Sequence, residues 1–553
     1  MSSKVEKIVE FKIHRFDPQG KRCYVSTYKV PVYKGTTIQE ALLFIKDNID
    51  ATLAFRHSCR MGICGSCGIN VNGKPMLACY TQVLDLEVDS LVIEPLSNMP
   101  IIKDLVVDIQ PFFNTTKRIK TFLIKTKEEL RKPIEFVQTP SNLRKYWDLT
   151  LCTKCSICYS ACPAAIDERF LGPSTLTVNY RFITDSRDGG LDERLKPMTD
   201  NIWLCTSCNS CTMFCPKNVN CSNSIVDDRS LIIETGVIPR TVKDVLESVI
   251  RYHNPMGTHQ SKRMEWTKDL NVKTFPTVTR ADVLYFVCCS TAYDLRNQEV
   301  ARAMALIFDR LGMDFATLGN EEWCCGDHIL RLGERGLFEM LAEHNVDVFE
   351  KFNTEKIVTL SPHCYNTFKN DKPYSDTELH VQHYTQFLAE AIDKGRLRLS
   401  NAVNKRVAYH DPCFLGKRNE IYDAPRQILQ SISGLELSDM KRTRQSSFCC
   451  GGGAGRIWTE EALPEKRPSV DRVKEALGLG VEVIATACPF CITTLEDAVK
   501  VLDVENKIVV RDTLELLKKK ICENSWIFVN VKAQTEFCLR AHPRCEARSG
   551  QQS

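Results

Sequence analysis

Phe448-Cys449-Cys450-Gly451-Gly452-Gly453, read with Cys413 before it and Cys488-Pro489-Phe490-Cys491 after it, decides how the second half of this chain is built. Paired cysteines followed by glycines suit a backbone that must pass close to one metal centre while several thiolates converge on it. Working outward, an apolar run at 407–409 leads into His410-Asp411-Pro412-Cys413, and a helix is expected near 425–432. After Cys449-Cys450 come a helix near 470–477, a strand at 483–486 and Cys488-Pro489-Phe490-Cys491.

The same order occurs once before. An apolar run at 283–289 ends on Cys288-Cys289, a helix follows near 299–311, and Trp323-Cys324-Cys325-Gly326 stands where Cys449-Cys450-Gly451 stands later. A helix near 337–349, a strand at 357–360 and Ser361-Pro362-His363-Cys364 complete it. Cys289 to Cys324 is 35 positions and Cys413 to Cys449 is 36; Cys325 to Cys364 is 39 and Cys450 to Cys491 is 41. Such agreement marks an internal duplication, so two α/β units are expected at 281–398 and 399–520, packed as a pair. Their cysteines fall where strands end and helices begin, on junctions read as exposed, and helix amino termini favour the negative charge of thiolates.

The bulk composition narrows the function. With 553 residues the chain holds several domains, and a net charge of +4 gives no reason to expect nucleic acid or an anionic membrane as main partner. The 27 cysteines are odd in number and bunched, and the opening Met1-Ser2-Ser3-Lys4-Val5-Glu6-Lys7 has no apolar run behind its charges. A cytoplasmic location with metal or redox chemistry explains them better than disulfides. No apolar stretch reaches about 18 residues, so no transmembrane segment is expected.

Residues 1–108 begin with alternating β-forming runs and a short helix near 38–49, followed by Cys59, Cys64 and Cys67. This is the C-x4-C-x2-C spacing of plant-type [2Fe–2S] ferredoxins, with Cys79 as the distant fourth ligand. Residues 109–250 turn helical and carry two complete C-x2-C-x2-C-x3-C-P runs. The fourth cysteine of such a run serves the other cluster. One cubane [4Fe–4S] centre is therefore assigned to Cys152, Cys155, Cys158 and Cys215, and a second to Cys205, Cys208, Cys211 and Cys162. Cys221 reads as a buried thiol outside either set. Residues 251–280, with Pro255, Gly257 and Pro276, read as a linker, and the tail at 521–553, with Cys538 and Cys545, as disordered.

These motifs carry a resemblance. Ser58 to Cys67, Asn72-Gly73-Lys74-Pro75-Met76-Leu77-Ala78-Cys79, Ile93-Glu94-Pro95-Leu96 and Ile102-Lys103-Asp104-Leu105 resemble the iron–sulfur subunit of the succinate dehydrogenase and fumarate reductase family. That resemblance implies docking on a flavoprotein subunit that carries FAD and the dicarboxylate site. Cys208 departs from the family, whose second cysteine group usually holds [3Fe–4S], and a second [4Fe–4S] is expected instead.

The later half resembles the CCG-domain subunits of heterodisulfide reductase, whose five-cysteine motifs hold noncubane [4Fe–4S] clusters. Cys413, Cys449, Cys450, Cys488 and Cys491 match one motif in full. The other offers Cys289, Cys324, Cys325 and Cys364, but Ser361 stands where a cysteine would be. That first site is left as a different cluster, zinc, or a site completed by Cys288, Ser361 or His363. The fold expected is thus multidomain α+β: a β-grasp 2Fe-2S domain, a helical two-cluster domain and duplicated α/β CCG domains.

The fusion resembles the iron–sulfur subunits of thiol:fumarate reductases. It implies oxidation of coenzyme M and coenzyme B to their heterodisulfide at the complete site, with electrons passed to the flavoprotein in a heterodimer. No G-x-G-x-x-G fingerprint follows a strand near the start, so FAD is expected only on the partner. Lys417, Arg418 and Arg456 are candidate anchors for the anionic groups of the thiols, and His410 with Asp411 a candidate pair for the thiol proton. Solvated surface cations and a turn cap are the bland readings of the same residues. Two other functions stay open: a quinone-linked oxidoreductase of the same wiring, and an electron-transfer adaptor with structural zinc.

Overall fold

Alternation of apolar and polar side chains along Lys7–Asp17 (β1) buries Val9, Phe11 and Ile13 on one face, and Arg22–Val32 (β2) pairs with it antiparallel along its whole length. The computed structural model describes residues 5–131, 135–352, 356–397, 399, 404–459 and 466–518. The tail expected at 521–553 lies outside the described residues. Gly68–Val71 (β3), Lys74–Leu77 (β4) and Ser90–Glu94 (β5) complete a sheet of order β2-β1-β5-β3-β4, in which only β1 and β5 are parallel. The helix Ile38–Asn48 starts at a Thr37–Glu40 capping box and lays Ile38, Ala41, Leu42 and Ile45 into the core of this sheet, the β-grasp arrangement expected. A short ribbon of Ile101–Lys103 (β6) and Val106–Val107 (β7) follows.

The next segment is helical, in short pieces interrupted by the cysteine loops. Its longer helices, Pro173–Ile183, Cys221–Glu234 and Arg240–Tyr252, pack Leu176, Ile225 and Val249 into a core shared with Leu284, Phe286 and Phe338 of the first CCG unit. The dicluster segment is therefore built into its neighbour rather than tethered to it.

Residues 251–280 are not the linker expected. Asn254, Arg263 and Trp266 are fully buried, and Lys273–Thr274 (β8) forms the edge strand of the following sheet. Prolines and charges disguise the segment in sequence, but its few large side chains are committed to the core. The first unit has sheet order β12-β11-β9-β10-β8, with Val283–Phe286 (β9), Phe315–Thr317 (β10), Lys356–Thr359 (β11) and His380–His383 (β12), all parallel. The second has order β14-β13-β15-β16, with Lys405–Tyr409 (β13), Leu435–Ser438 (β14), Val483–Thr486 (β15) and Val509–Asp512 (β16), again all parallel.

Strands β9 and β15 are short and buried at every position, as expected where helices cover both faces of a parallel sheet. The two units share one core, in which Val300, Met304 and Phe308 meet Ile428, Leu429 and Leu514. Among the described residues no helix is long and apolar enough to cross a membrane.

Candidate iron–sulfur sites

Cys59, Cys64 and Cys67 lie on the loop ahead of β3, and Cys79 follows β4. The loop turns its amides inward: Gly62 N–H donates to Cys79 Sγ at 3.2 Å, Cys64 N–H to Cys59 Sγ at 3.2 Å and Ile63 N–H to Cys59 Sγ at 3.4 Å. The amides of Met61, Cys64 and Ile63 pull the Cys59 thiol down to about 6. An N–H nest around sulfur fits an anionic [2Fe–2S] group.

In the dicluster segment the crossed grouping is visible in space. Cys155 faces Cys152 and Cys215, whereas Cys162 faces Cys208 and Cys205. The buried Cys221 sits between the two sets, its thiol in hydrogen-bond reach of Cys158 on one side and Cys211 on the other. Its sulfur thus touches one cysteine of each set.

Cys413, Cys449, Cys450, Cys491 and Cys488 form a chain of sulfur contacts in that order, with Cys450 and Cys491 at 3.3 Å. All five are buried, not exposed as the loop positions implied, and together with Thr206, Phe414 and Gly453 they line one small cavity. In the first unit Cys289, Cys324, Cys325, Cys364 and Cys288 are likewise gathered and buried. Five thiols around one space match the donor chemistry of an iron–sulfur group. Beside the second set, burial and the neighbouring Arg472 hold His410 down to about 3.

A neutral His410 whose Nδ1 accepts from Arg472 Nε at 3.1 Å carries its proton on Nε2. That nitrogen has no protein partner, and a ring nitrogen of His410 lies within 4.8 Å of the Cys450 and Cys491 sulfurs. His410 is thus suited to donate to sulfur rather than to take up a thiol proton, a correction to its expected role. Asp411 is corrected too: it binds Arg426 through two contacts of 2.7 and 3.0 Å and accepts Arg444 N–H at 2.9 Å, which spends it on pinning the loop.

Lys417 and Arg418 also change role. Lys417 Nζ donates to Ser210 Oγ at 2.6 Å and to the Ser447 carbonyl, and Arg418 donates to the Ser207 carbonyl at 2.8 Å and to Ser222 Oγ at 3.0 Å. These bonds tie the second unit to the dicluster segment, so neither cation is free to anchor a substrate. Arg456, whose Nη1 donates to the Thr459 carbonyl at 3.2 Å, lines a cavity of about 570 Å³ that reaches Cys450 and Gly451 and is faced by Arg296, Arg467 and Lys500 together with Asp294, Glu496 and Asp497.

Three features had no sequence signal. His363 does not complete the first site; Asp327, 2.6 Å from its Nδ1, outweighs burial and raises it to about 10, and its ring reaches Cys488 of the other unit. Cys208 touches Cys413 and Cys449, which joins the second four-cysteine set of the dicluster segment to the five cysteines of the second cysteine-rich unit. Buried Arg229 donates to the carbonyls of Ile202, Cys205 and Arg331 at 2.7 to 2.9 Å, clasping dicluster loop and first unit together.

Two glycines mark the junctions between cysteine loops. A Cβ at Gly65 would stand 2.8 Å from Cys155 Cα, and one at Gly453 would stand 2.6 Å from the Thr206 carbonyl oxygen. Only glycine permits backbone to approach that closely.

Family matches follow the same divisions. A 2Fe-2S iron-sulfur cluster binding domain matches residues 10–114, a 4Fe-4S dicluster domain residues 148–219, and a cysteine-rich domain residues 283–369 and again 407–496. An uncharacterized iron-sulfur protein of Methanocaldococcus jannaschii is 31% identical over 507 residues, 91% of this chain and 96% of that protein. The chain belongs to that iron–sulfur protein family.

A subunit of the fumarate reductase (CoM/CoB) of Methanothermobacter marburgensis is a 29% identical relative over 506 residues, 89% of this chain and 95% of that one. A probable iron-sulfur-binding oxidoreductase of Bacillus subtilis is 32% identical over 423 residues, 68% of this chain, and the match spans only 60% of that longer protein. This family member is an iron–sulfur oxidoreductase subunit of multidomain α+β fold, related to the CoM/CoB fumarate reductase subunit.

Proposed function

We propose that this chain is the iron–sulfur subunit of a cytoplasmic fumarate reductase that oxidises coenzyme M and coenzyme B to their mixed disulfide, with fumarate reduced on a flavoprotein partner. The reaction balances: two thiols form one S–S bond and release two protons and two electrons, and fumarate takes up both to give succinate. The observation that carries this reading is the unbroken succession of cysteine loops, joined at Gly65 with Cys155 and at Cys208 with Cys413 and Cys449. Bound there, iron–sulfur groups supply one-electron transfer and, at a five-cysteine site, iron within reach of a substrate sulfur.

The chain's own residues do the rest. The cavity beside Cys450 admits a small thiol, and Arg456 and Lys500 on its wall suit a sulfonate or a phosphate. Lys417 and Arg418 hold the seam on which the contact between loops depends. His363 offers an N–H group toward Cys488, and His410 one toward the neighbouring Cys450 and Cys491. At the far end Met61, Ile63 and Tyr80 stand well exposed around the 2Fe–2S loop, an apolar face suited to the flavoprotein. The 29% identity to the CoM/CoB fumarate reductase subunit along nearly its whole length supports the same assignment.

The test is an anaerobic preparation of the chain with its co-purifying flavoprotein. Fumarate-dependent consumption of both thiols in equal amounts, with matching succinate, is the expected outcome. Fumarate reduction driven by a quinol and by neither thiol would overturn the reading.

A further inference from the structure

The first cysteine-rich unit offers only four cysteines at the positions equivalent to the five of the second, with Ser361 in the place of Cys488. Its sulfur contacts nevertheless run through five residues. Cys289 touches Cys324, Cys324 touches Cys325, Cys325 touches Cys364, and Cys364 touches Cys288. In the second unit the order is Cys413, Cys449, Cys450, Cys491, Cys488. Position by position the two chains of contact correspond, and Cys288 stands where Cys488 stands, against the last cysteine of the motif. The supporting amides correspond as well: Gly326 N–H donates to Cys324 Sγ at 3.4 Å and Gly451 N–H to Cys449 Sγ at 3.3 Å.

We propose that the first unit holds an iron–sulfur cluster of its own, with Cys288 in place of the missing cysteine as its fifth thiolate. The backbone of Cys288 carries the strongest sign. Its φ of 76° and ψ of 149° fall in a region that belongs to glycine, and a side chain kept there must be held by its surroundings. The holding group is Glu322, whose carboxylate accepts Val287 N–H at 3.2 Å and Cys288 N–H at 3.1 Å while pairing with the buried Arg263. Arg263 in turn brings Nη1 to 3.8 Å from Cys289 Sγ, a cation set against the gathered thiolates.

The rival donors are spent elsewhere. Ser361 Oγ accepts His363 N–H at 3.3 Å as the cap of the helix Pro362–Asn370, and the His363 ring is taken by Asp327 and Cys488. Tetrahedral zinc would use four thiolates and leave a fifth buried without a role. This cluster is independent of which molecule supplies electrons to the second unit.

The test uses the full-length chain purified anaerobically, with iron, sulfide and zinc content and Mössbauer and EPR spectra as readouts. Cys288→Gly relieves the backbone and so folds as well as the parent; it is expected to lose about four irons per chain, one [4Fe–4S] equivalent. The [2Fe–2S] signal should persist, and Ser361→Ala should keep all the iron. The spectrum lost in Cys288→Gly should also match that lost in Cys325→Ala. Full iron with unchanged spectra in Cys288→Gly, non-matching difference spectra, or zinc in the first unit of the parent chain would each overturn the proposal.

Discussion

The two cysteine-rich units share a sheet topology, a motif spacing and a chain of five sulfurs, yet they face different surroundings. The second abuts Cys208 and Thr206 of the dicluster segment and opens through Cys450 and Gly451 onto a cavity of about 570 Å³. The first is buried against Arg263 and Glu322 and sends His363 across to Cys488 of its neighbour. Duplication thus supplied two similar scaffolds, and the packing around them set the second cysteine group beside an open cavity and the dicluster segment, and the first beside Arg263 and Glu322.

That contrast breaks most sharply at the second unit. Cys450→Ala should reduce thiol-driven fumarate reduction by at least about 100-fold, the upper end of what lost support at a metal site costs, while fumarate reduction by an artificial donor to the ferredoxin centres survives. Equal loss with both donors would show that the two ends are not separable. Asp411→Ala should destabilise the chain by about 1–3 kcal/mol, because buried Arg426 loses one of its two carboxylate partners and keeps Asp439. A denaturant midpoint shift would measure this, and an unchanged midpoint with lost activity would return Asp411 to the chemistry.

His363→Gln sharpens the link between the units. Removing the positive charge beside Cys488 should lower the reduction potential of the second site and slow thiol oxidation by about 10-fold, with iron content unchanged. Potentiometric titration followed by EPR reads this directly, and an unmoved potential would confine His363 to packing.

The smallest effect lies at the seam between the units, where Tyr384 of the first donates to Asp512 of the second at 2.7 Å. Burial pushes Asp512 up from 3.8 to about 7, so the folded chain binds that proton more tightly than the unfolded chain. Its stabilising contribution is present below pH 4 and is lost as pH rises through about 7. Asp512→Asn, which keeps the acceptor oxygen, should be the more stable chain at pH 8, and thermal melts across that range check it.

Much of the site was legible before any coordinate. Cys59, Cys64, Cys67 and Cys79, the two C-x2-C-x2-C-x3-C-P runs and the doubled CCG pattern are local spacings, and a metal centre constrains spacing directly. The linker reading failed because Trp266 and Arg263 are isolated in sequence and gain their meaning only from the core they enter. Lys417, Arg418 and Asp411 misled for a related reason: charge beside a cysteine looks like chemistry until its hydrogen-bond partners are known.

Sequence by itself determined which cysteines belong to which loop, that the later half is a duplication, and that one copy lacks a cysteine at Ser361. Only the tertiary structure brought Cys288 against Cys364, turned His363 toward the opposite unit and set Cys208 against Cys413. Ligand spacing is written along the chain, whereas the direction of a side chain depends on backbone conformation and on neighbours contributed from hundreds of residues away.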